Sequence, residues 1–413
     1  MLLKKYSTEK IIPYIGILIG LFFAQISFSQ EHQHDMKSMT KQINCSSTGL
    51  DCANAATPFI STDGQLWLVW TAGGQVSLAK SKDLSKTFSS PISLAQHGKY
   101  LDTGGDARPQ IIVDDMARVV VSYAFFKDTN WNAQINTVQS KDGGISFALP
   151  KSIVQDTSSQ RFPVMLLQNG KDIFIAWIDK RLVLQSKQSS DPLLGGSIAY
   201  GWLNLEGVIP NNEKIANPHS CECCRIGAAL TKDQLPIIDY RAIFDGGIRD
   251  HATQIIEKNN SPGKIQRIAN DGWKTDICPH QGPSIAVSAD GTTHVTWYTQ
   301  GSNLNGLFYA NSKNNGVYTS IRKIGEDNLN PSRAYLLALD HQVWLVWKEF
   351  DGQTARIFGQ LSNDDGKTWT TKQLLSQTNG YSDHPLLTSY QKKVYLSWLT
   401  RNDGYLLKEL NLQ

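Results

Sequence analysis

The sequence predicts an all-β fold, a β-propeller of four-stranded antiparallel blades, on three observations. A strand that ends on an aromatic residue recurs along the whole chain. The copies stand roughly 50 to 60 residues apart, the length of one propeller blade. The turns between them carry Asp-Gly and Asn-Gly hairpin signals. Seven blades are expected, with six as the alternative if the first or last unit is irregular.

The aromatic-ended strand is first read at Leu66-Trp67-Leu68-Val69-Trp70 and again at Val120-Val121-Ser122-Tyr123. Further copies end on Trp177, Tyr240, Trp297, Trp347 and Trp398. Upstream of most copies lies a short apolar run opening with proline, at Pro58, Pro109, Pro163, Pro283 and Pro385. Hairpin pairs sit between the two runs at Asp63-Gly64, Asn169-Gly170 and Asp290-Gly291. Two more strand-like runs follow each copy, so each unit is a four-stranded meander. Such a unit cannot bury both faces alone, and stacking copies around an axis solves this while leaving only short edges. The last unit stops after three strands. A strand from residues 37–50 would complete it, and a bridge between Cys45 and Cys52 would stiffen that region.

The remaining composition fits one exported globular domain. Of 413 residues, 40% are hydrophobic and 19% charged, enough for a large core. The net charge of +3 comes without a Lys/Arg run, which excludes a nucleic-acid footprint. Lys4, Lys5 and Lys10 precede an apolar stretch from Ile11 to Phe28 and the small-residue site at Ser27-Phe28-Ser29. This reads as a signal peptide over residues 1–29. Pro13 and the cleavage site favour removal over a stable membrane anchor. Residues 30–55 form an N-terminal segment and 56–413 the propeller. In an oxidising compartment the six cysteines are expected to pair.

Three turns read Ser81-Lys82-Asp83-Leu84-Ser85-Lys86-Thr87-Phe88, Ser140-Lys141-Asp142-Gly143-Gly144-Ile145-Ser146-Phe147 and Ser362-Asn363-Asp364-Asp365-Gly366-Lys367-Thr368-Trp369. They match the Asp-box pattern, in which an Asp bonds turn N–H groups and an aromatic packs between strands. The chain thus resembles the sialidase or neuraminidase superfamily over roughly residues 56 to 413. In the Asp-box reading, Asp83, Asp142 and Asp364 are turn residues, on the face opposite the start of each first strand.

Because strands alternate in direction, the start of each first strand and the end of each second strand share a face. First-strand starts offer Arg108, Arg161, Arg225, His280, Arg333 and His384; second-strand ends offer Arg241, Arg249 and Glu349, among others. Converging arginines suit an anionic ligand, a small molecule or a glycan, because guanidinium pairs with carboxylate in a planar fork; the alternative is that each pairs with a neighbouring Asp such as Asp102, Asp106 or Asp250 and ties loops together. In the superfamily, three arginines hold the substrate carboxylate, a Tyr activated by a Glu attacks, and an Asp is acid/base. The resemblance implies Asp106 and Glu349 as candidate catalytic carboxylates for an exo-α-sialidase. The chain departs from the pattern where the first blade opens Ala56-Thr57-Pro58-Phe59 without arginine, and no nucleophilic Tyr is assignable.

The segment His219-Ser220-Cys221-Glu222-Cys223-Cys224-Arg225, with Cys278-Pro279-His280 later, resembles a subgroup of exported bacterial sialidase-like proteins that share a Cys-x-Cys-Cys segment. Two readings follow for Cys221, Cys223, Cys224 and Cys278. One is disulfides stapling the openings of two adjacent blades. The other is a soft-metal site, copper above all, with His219, His280 and His384 as further donors. The segment His32-Gln33-His34-Asp35-Met36, with Met39, is also similar to a copper-capturing tail. Three functions therefore stand: a propeller binding an anionic ligand in an Arg/His/Cys-lined pocket, a sialidase-type hydrolase, and an extracytoplasmic copper-binding protein.

Overall fold

A computed structural model describes residues 45–413, apart from 157, 188, 190–192, 210–212, 276–279 and 314. The signal peptide, the His/Met segment and Cys278 lie outside the described residues. Seven antiparallel sheets follow one another along the chain, at residues 55–96, 110–152, 160–220, 227–267, 284–324, 332–379 and 386–409. The first six carry four strands, and the seventh has three among the described residues. The count of seven is the one expected.

Every aromatic that set the repeat falls in the second strand of its own blade: Leu66–Ala72, Val119–Phe126, Asp172–Asp179, Pro236–Arg241, Thr292–Gln300, Gln342–Phe350 and Lys393–Thr400. All seven are fully buried. Burial of a ring with a polar edge requires a partner for that edge. Accordingly Trp177 donates to Asp179, Trp297 to Asp271, Trp347 to Glu349, and Trp70 and Trp398 to the carbonyls of Thr48 and Asp383.

The core is divided. Seven apolar clusters each join one blade to the next, such as Val69 and Leu78 with Val121 and Tyr123 between blades 1 and 2. One of them closes the ring, packing Leu399 and Tyr405 of blade 7 against Ala56, Trp70 and the Cys45/Cys52 region. Central strands are therefore covered on both faces; all of Leu66–Ala72 is buried. The expected disulfide joins Cys45 to Cys52. Of the segment expected to close blade 7, residues 45–50 form no strand, and 37–44 lie outside the described residues.

The three Asp-bearing turns lie between third and fourth strands and share one hydrogen-bond pattern. In the first, Asp83 accepts from Ser81 Oγ at 2.8 Å, Thr87 N at 2.9 Å and Thr87 Oγ1 at 2.6 Å. Asp142 and Asp364 repeat it with Ser146 and Thr368. These bonds account for carboxyls held below their ordinary range, Asp83 and Asp364 to about 2.

Candidate functional site at the axial mouth

The site begins with the openings of the innermost strands. Arg108 precedes Gln110–Val113, Arg161 lies in Gln160–Gln168, Arg225 precedes Gly227–Leu230, Arg333 lies in Ser332–Leu339, and His384 precedes Leu386–Tyr390. Asp106, before blade 2, bonds Arg225 of blade 4 at 2.8 Å and Arg333 of blade 6 at 2.6 Å. Side chains from three alternate blades meet only where a ring has its axis. Arg333 also donates to the carbonyl of His280.

Two further pairs flank this centre. Arg108 grips Asp383 with both Nη atoms, at 3.1 and 2.6 Å, and donates to Ala56 O at 3.0 Å. Asp383 in turn accepts from Ala56 N, so one buried pair ties blades 7, 1 and 2. Arg161 bonds Asp102 at 2.5 and 3.1 Å and stacks on Phe162 and Phe126. Arg333, Phe162 and His280 have positive φ (56°, 57° and 46°), the left-handed region that costs a non-glycine residue about 1–2 kcal/mol. Such strain persists where surrounding contacts dictate the backbone.

Charge at the mouth is unbalanced. Arg108, Arg161, Arg225, Arg333 and Lys348 gather against Asp102, Asp106 and Asp383. Burial, with the neighbouring charge of Arg333, lowers Lys348 to about 8 although Asp383 opposes the shift. Its ammonium donates to Ser382 O at 3.0 Å. Burial also lowers Arg225; Asp106 opposes this, and the charges of Arg333 and Arg108 add to it. His384 is held well below its ordinary range by burial and then by Arg333, Arg108, Arg225 and Lys348, leaving a neutral ring at pH 7. Its Nδ1 has no hydrogen-bond partner among the described residues. Lys348 and Tyr335 were not among the candidates read from sequence. Burial raises the Tyr335 hydroxyl against the pull of Arg225 and Arg108. The signal for it was its place two residues after Arg333 on an innermost strand.

Glu349 lies elsewhere: it is buried, accepts from Trp347 Nε1 at 2.8 Å and faces Lys372 at 3.5 Å. The cysteine segment adjoins the mouth, since Arg225 follows Cys224 directly. Cys221, Cys223 and Cys224 are 1–3% exposed, with Cys221 Sγ 3.3 Å from Cys223 Sγ and 3.9 Å from Cys224 Sγ. All three sulfurs lie within 4.8 Å of one another, and no histidine joins that group among the described residues. His219 is exposed. Hydrogen bonds from Cys221 and Cys223 hold the Cys224 sulfur well below the ordinary thiol range against burial, with help from Arg241 and His251.

Arg249 Nη1 lies 3.9 Å from Cys221 Sγ. Arg241 is 1% exposed, stacks on Trp273 at 4.2 Å and donates to the carbonyls of Arg249, Gln281 and Tyr298. Among the described residues no carboxylate reaches its guanidinium. Burial raises Asp239 well above its ordinary value and Asp271 to about 7, which weakens both as counter-charges.

No protein family and no curated protein matches the chain by sequence. Solved structures do match by shape. The polysaccharide lyase Uly1 is 10% identical with a TM-score of 0.54, over 87% of this chain and 90% of that one. A PL25 ulvan lyase, bound to a GlcA-Rha3S saccharide, is 9% identical with a TM-score of 0.51, over 86% and 90%. A Hadza microbial sialidase, Hz136, is 13% identical with a TM-score of 0.49, over 84% and 76%. The likeness is one of fold. No helix among the described residues is long and apolar enough to cross a membrane.

Proposed function

We propose that the chain is an exported propeller that binds an anionic glycan at the axial mouth, through Arg225 and Arg333. The observation that carries this reading is the surplus of buried and half-buried cations there, with one carboxylate, Asp106, shared between the arginines of blades 4 and 6. Buried charges are stable only when paired and fully hydrogen-bonded. A ligand carboxylate or sulfate supplies the missing anion, and guanidinium forks suit its planar or trigonal oxygens. The saccharide in the structurally similar ulvan lyase is itself anionic, which agrees with this choice.

Binding is favoured over hydrolysis by the engagements of the two candidate carboxylates. Both oxygens of Asp106 bond arginines, and Glu349 holds the Trp347 indole. Calorimetric titration with a uronate oligosaccharide, a sialoside and a neutral oligosaccharide of equal length tests the reading. The acidic sugars are expected to bind, more weakly at high salt, and Arg333→Gln to weaken them at least about tenfold, the loss of one charge-assisted bond. Equal affinity for the neutral sugar overturns the proposal. Turnover of a fluorogenic sialoside, lost in Arg161→Ala or Arg333→Ala, makes the site hydrolytic instead.

A further inference from the structure

We propose that the ligand is a chain of acidic sugars rather than a single unit, and that its further units lie in a cleft running outward from the axial mouth between blades 6 and 7. The inference rests on the anionic-glycan reading of the mouth and extends it. The link from the outer strand of blade 6, Gln373–Asn379, to the inner strand of blade 7, Leu386–Tyr390, crosses the face on which the mouth opens. It starts at Asn379, in the wall of a hollow of about 390 Å³, and reaches Asp383, which Arg108 holds at the mouth. Four residues of about 3.3–3.6 Å each set Asn379 and Asp383 no more than about 14 Å apart, within the reach of a short oligosaccharide.

The hollow is lined by polar side chains throughout. Thr354 faces Asn379 and Arg356 faces Gln377 across the outer strand pair, and Thr354 Oγ1 donates to Asn379 Oδ1 at 2.8 Å. A turn of blade 7 makes the other wall. There Asn402 donates to the carbonyl of Asn379, and Asp403 accepts from Thr378 Oγ1 at 2.5 Å and Thr400 Oγ1 at 3.3 Å. Amides and hydroxyls that both donate and accept suit the hydroxyl groups of a sugar. Arg356 adds a cation that is 29% exposed. Its pair with Asp351, at 2.5 Å, is also open to solvent, and such pairs are worth little, so a ligand carboxylate or sulfate can take a guanidinium edge.

Between hollow and mouth stand an aromatic ring and a second cation. Tyr381 is 38% exposed, yet its hydroxyl donates to Asn54 O at 2.7 Å, which fixes the ring in place. A fixed, exposed ring is a platform for the apolar face of a pyranose. Burial raises the Tyr381 hydroxyl above its ordinary range; Asp383 adds to this, and Arg108, Arg401 and Arg333 oppose it, so the ring stands among the charges of the mouth and of the cleft. Gly380, at φ 89°, takes a left-handed turn that glycine adopts cheaply and leaves the floor beside the ring without a side chain. Arg401 donates to Asp51 O and Asn54 Oδ1, each at 3.4 Å, and pairs with no carboxylate among the described residues. Cations thus continue from Arg108 and Arg333 to Arg401 and Arg356, as an acidic chain requires.

The test is calorimetric titration of the full chain with a uronate dimer and a uronate hexamer. The hexamer is expected to bind at least about tenfold more tightly, the worth of one added charge-assisted bond. Tyr381→Ala and Arg356→Gln are each expected to bring the hexamer down to the affinity of the dimer, whereas Tyr381→Phe, which keeps the ring, retains the advantage. Equal affinity for the two lengths in the wild type overturns the proposal, and so does a hexamer advantage that survives Tyr381→Ala or Arg356→Gln. Arg333→Gln separates this inference from the one beneath it, since it is expected to weaken both lengths by the same factor. A hexamer that depends on Tyr381 and Arg356 but not on Arg333 keeps the cleft and overturns the mouth; no binding of either sugar overturns both. If Tyr381→Ala unfolds, Arg356→Gln decides alone.

Discussion

At the scale of single residues, the mouth depends on one close approach. A Cβ on Gly282 would overlap Arg225 Cγ and stand 2.8 Å from its carbonyl oxygen, so the missing side chain lets blade 5 press on this arginine. Gly282→Ala is expected to displace Arg225 and lower acidic-glycan affinity at least about tenfold, one lost charge-assisted bond. Gly104→Ala, whose Cβ meets nothing within 4 Å, is the control and should leave affinity unchanged. Lys348 gives a pH signature. Its ammonium ionises near 8 in the folded chain against an ordinary 10.5. Glycan affinity is expected to fall as pH rises through about 8 and to lose that dependence in Lys348→Met. Stability runs the other way. Between about 8 and 10.5 the unfolded chain binds the proton that the folded chain has released, so the Lys348 contribution to unfolding free energy rises with pH across that window. Denaturant melts at pH 7.5 and 9.5, wild type against Lys348→Met, separate the two effects.

At the scale of elements, the joint between the last and first blades rests on side chains as well as packing. Arg108 and Asp383 are 275 residues apart in sequence, yet both are buried and both bond Ala56. Breaking a buried pair strands its partner, so Asp383→Ala is expected to cost about 3–5 kcal/mol, read as a lower urea midpoint. Arg108→Met with Asp383→Leu together should cost much less, because no charge is left unpaired. An equal loss in single and double variants would assign the effect to packing. The openings themselves were legible in sequence, because repeat phase places Arg108, Arg161, Arg225, Arg333 and His384 alike. Of their partners, Asp102 and Asp106 were open to the same reading as neighbouring acids, whereas Asp383 was not, because it reaches Arg108 only through ring closure, which no local pattern encodes. Lys348 was missed beside Glu349 because alternation along a strand sends neighbours to opposite faces. Glu349 turns with Trp347, two residues away, and Lys348 turns toward Arg333 and Asp383. Residue type alone had favoured the carboxylate.

At the scale of the whole molecule, the blades share no single core; each of seven apolar clusters serves one interface. The repeat spacing foretold this division, since a meander that must bury both faces makes one contact with each neighbour. What crosses the ring is polar, at Asp106 on the axis. The peptide bond between Cys224 and Arg225 ties that axis to the buried sulfur cluster, so a displacement of the cysteine segment is carried to Asp106 and through it to Arg333, two blades further round the ring.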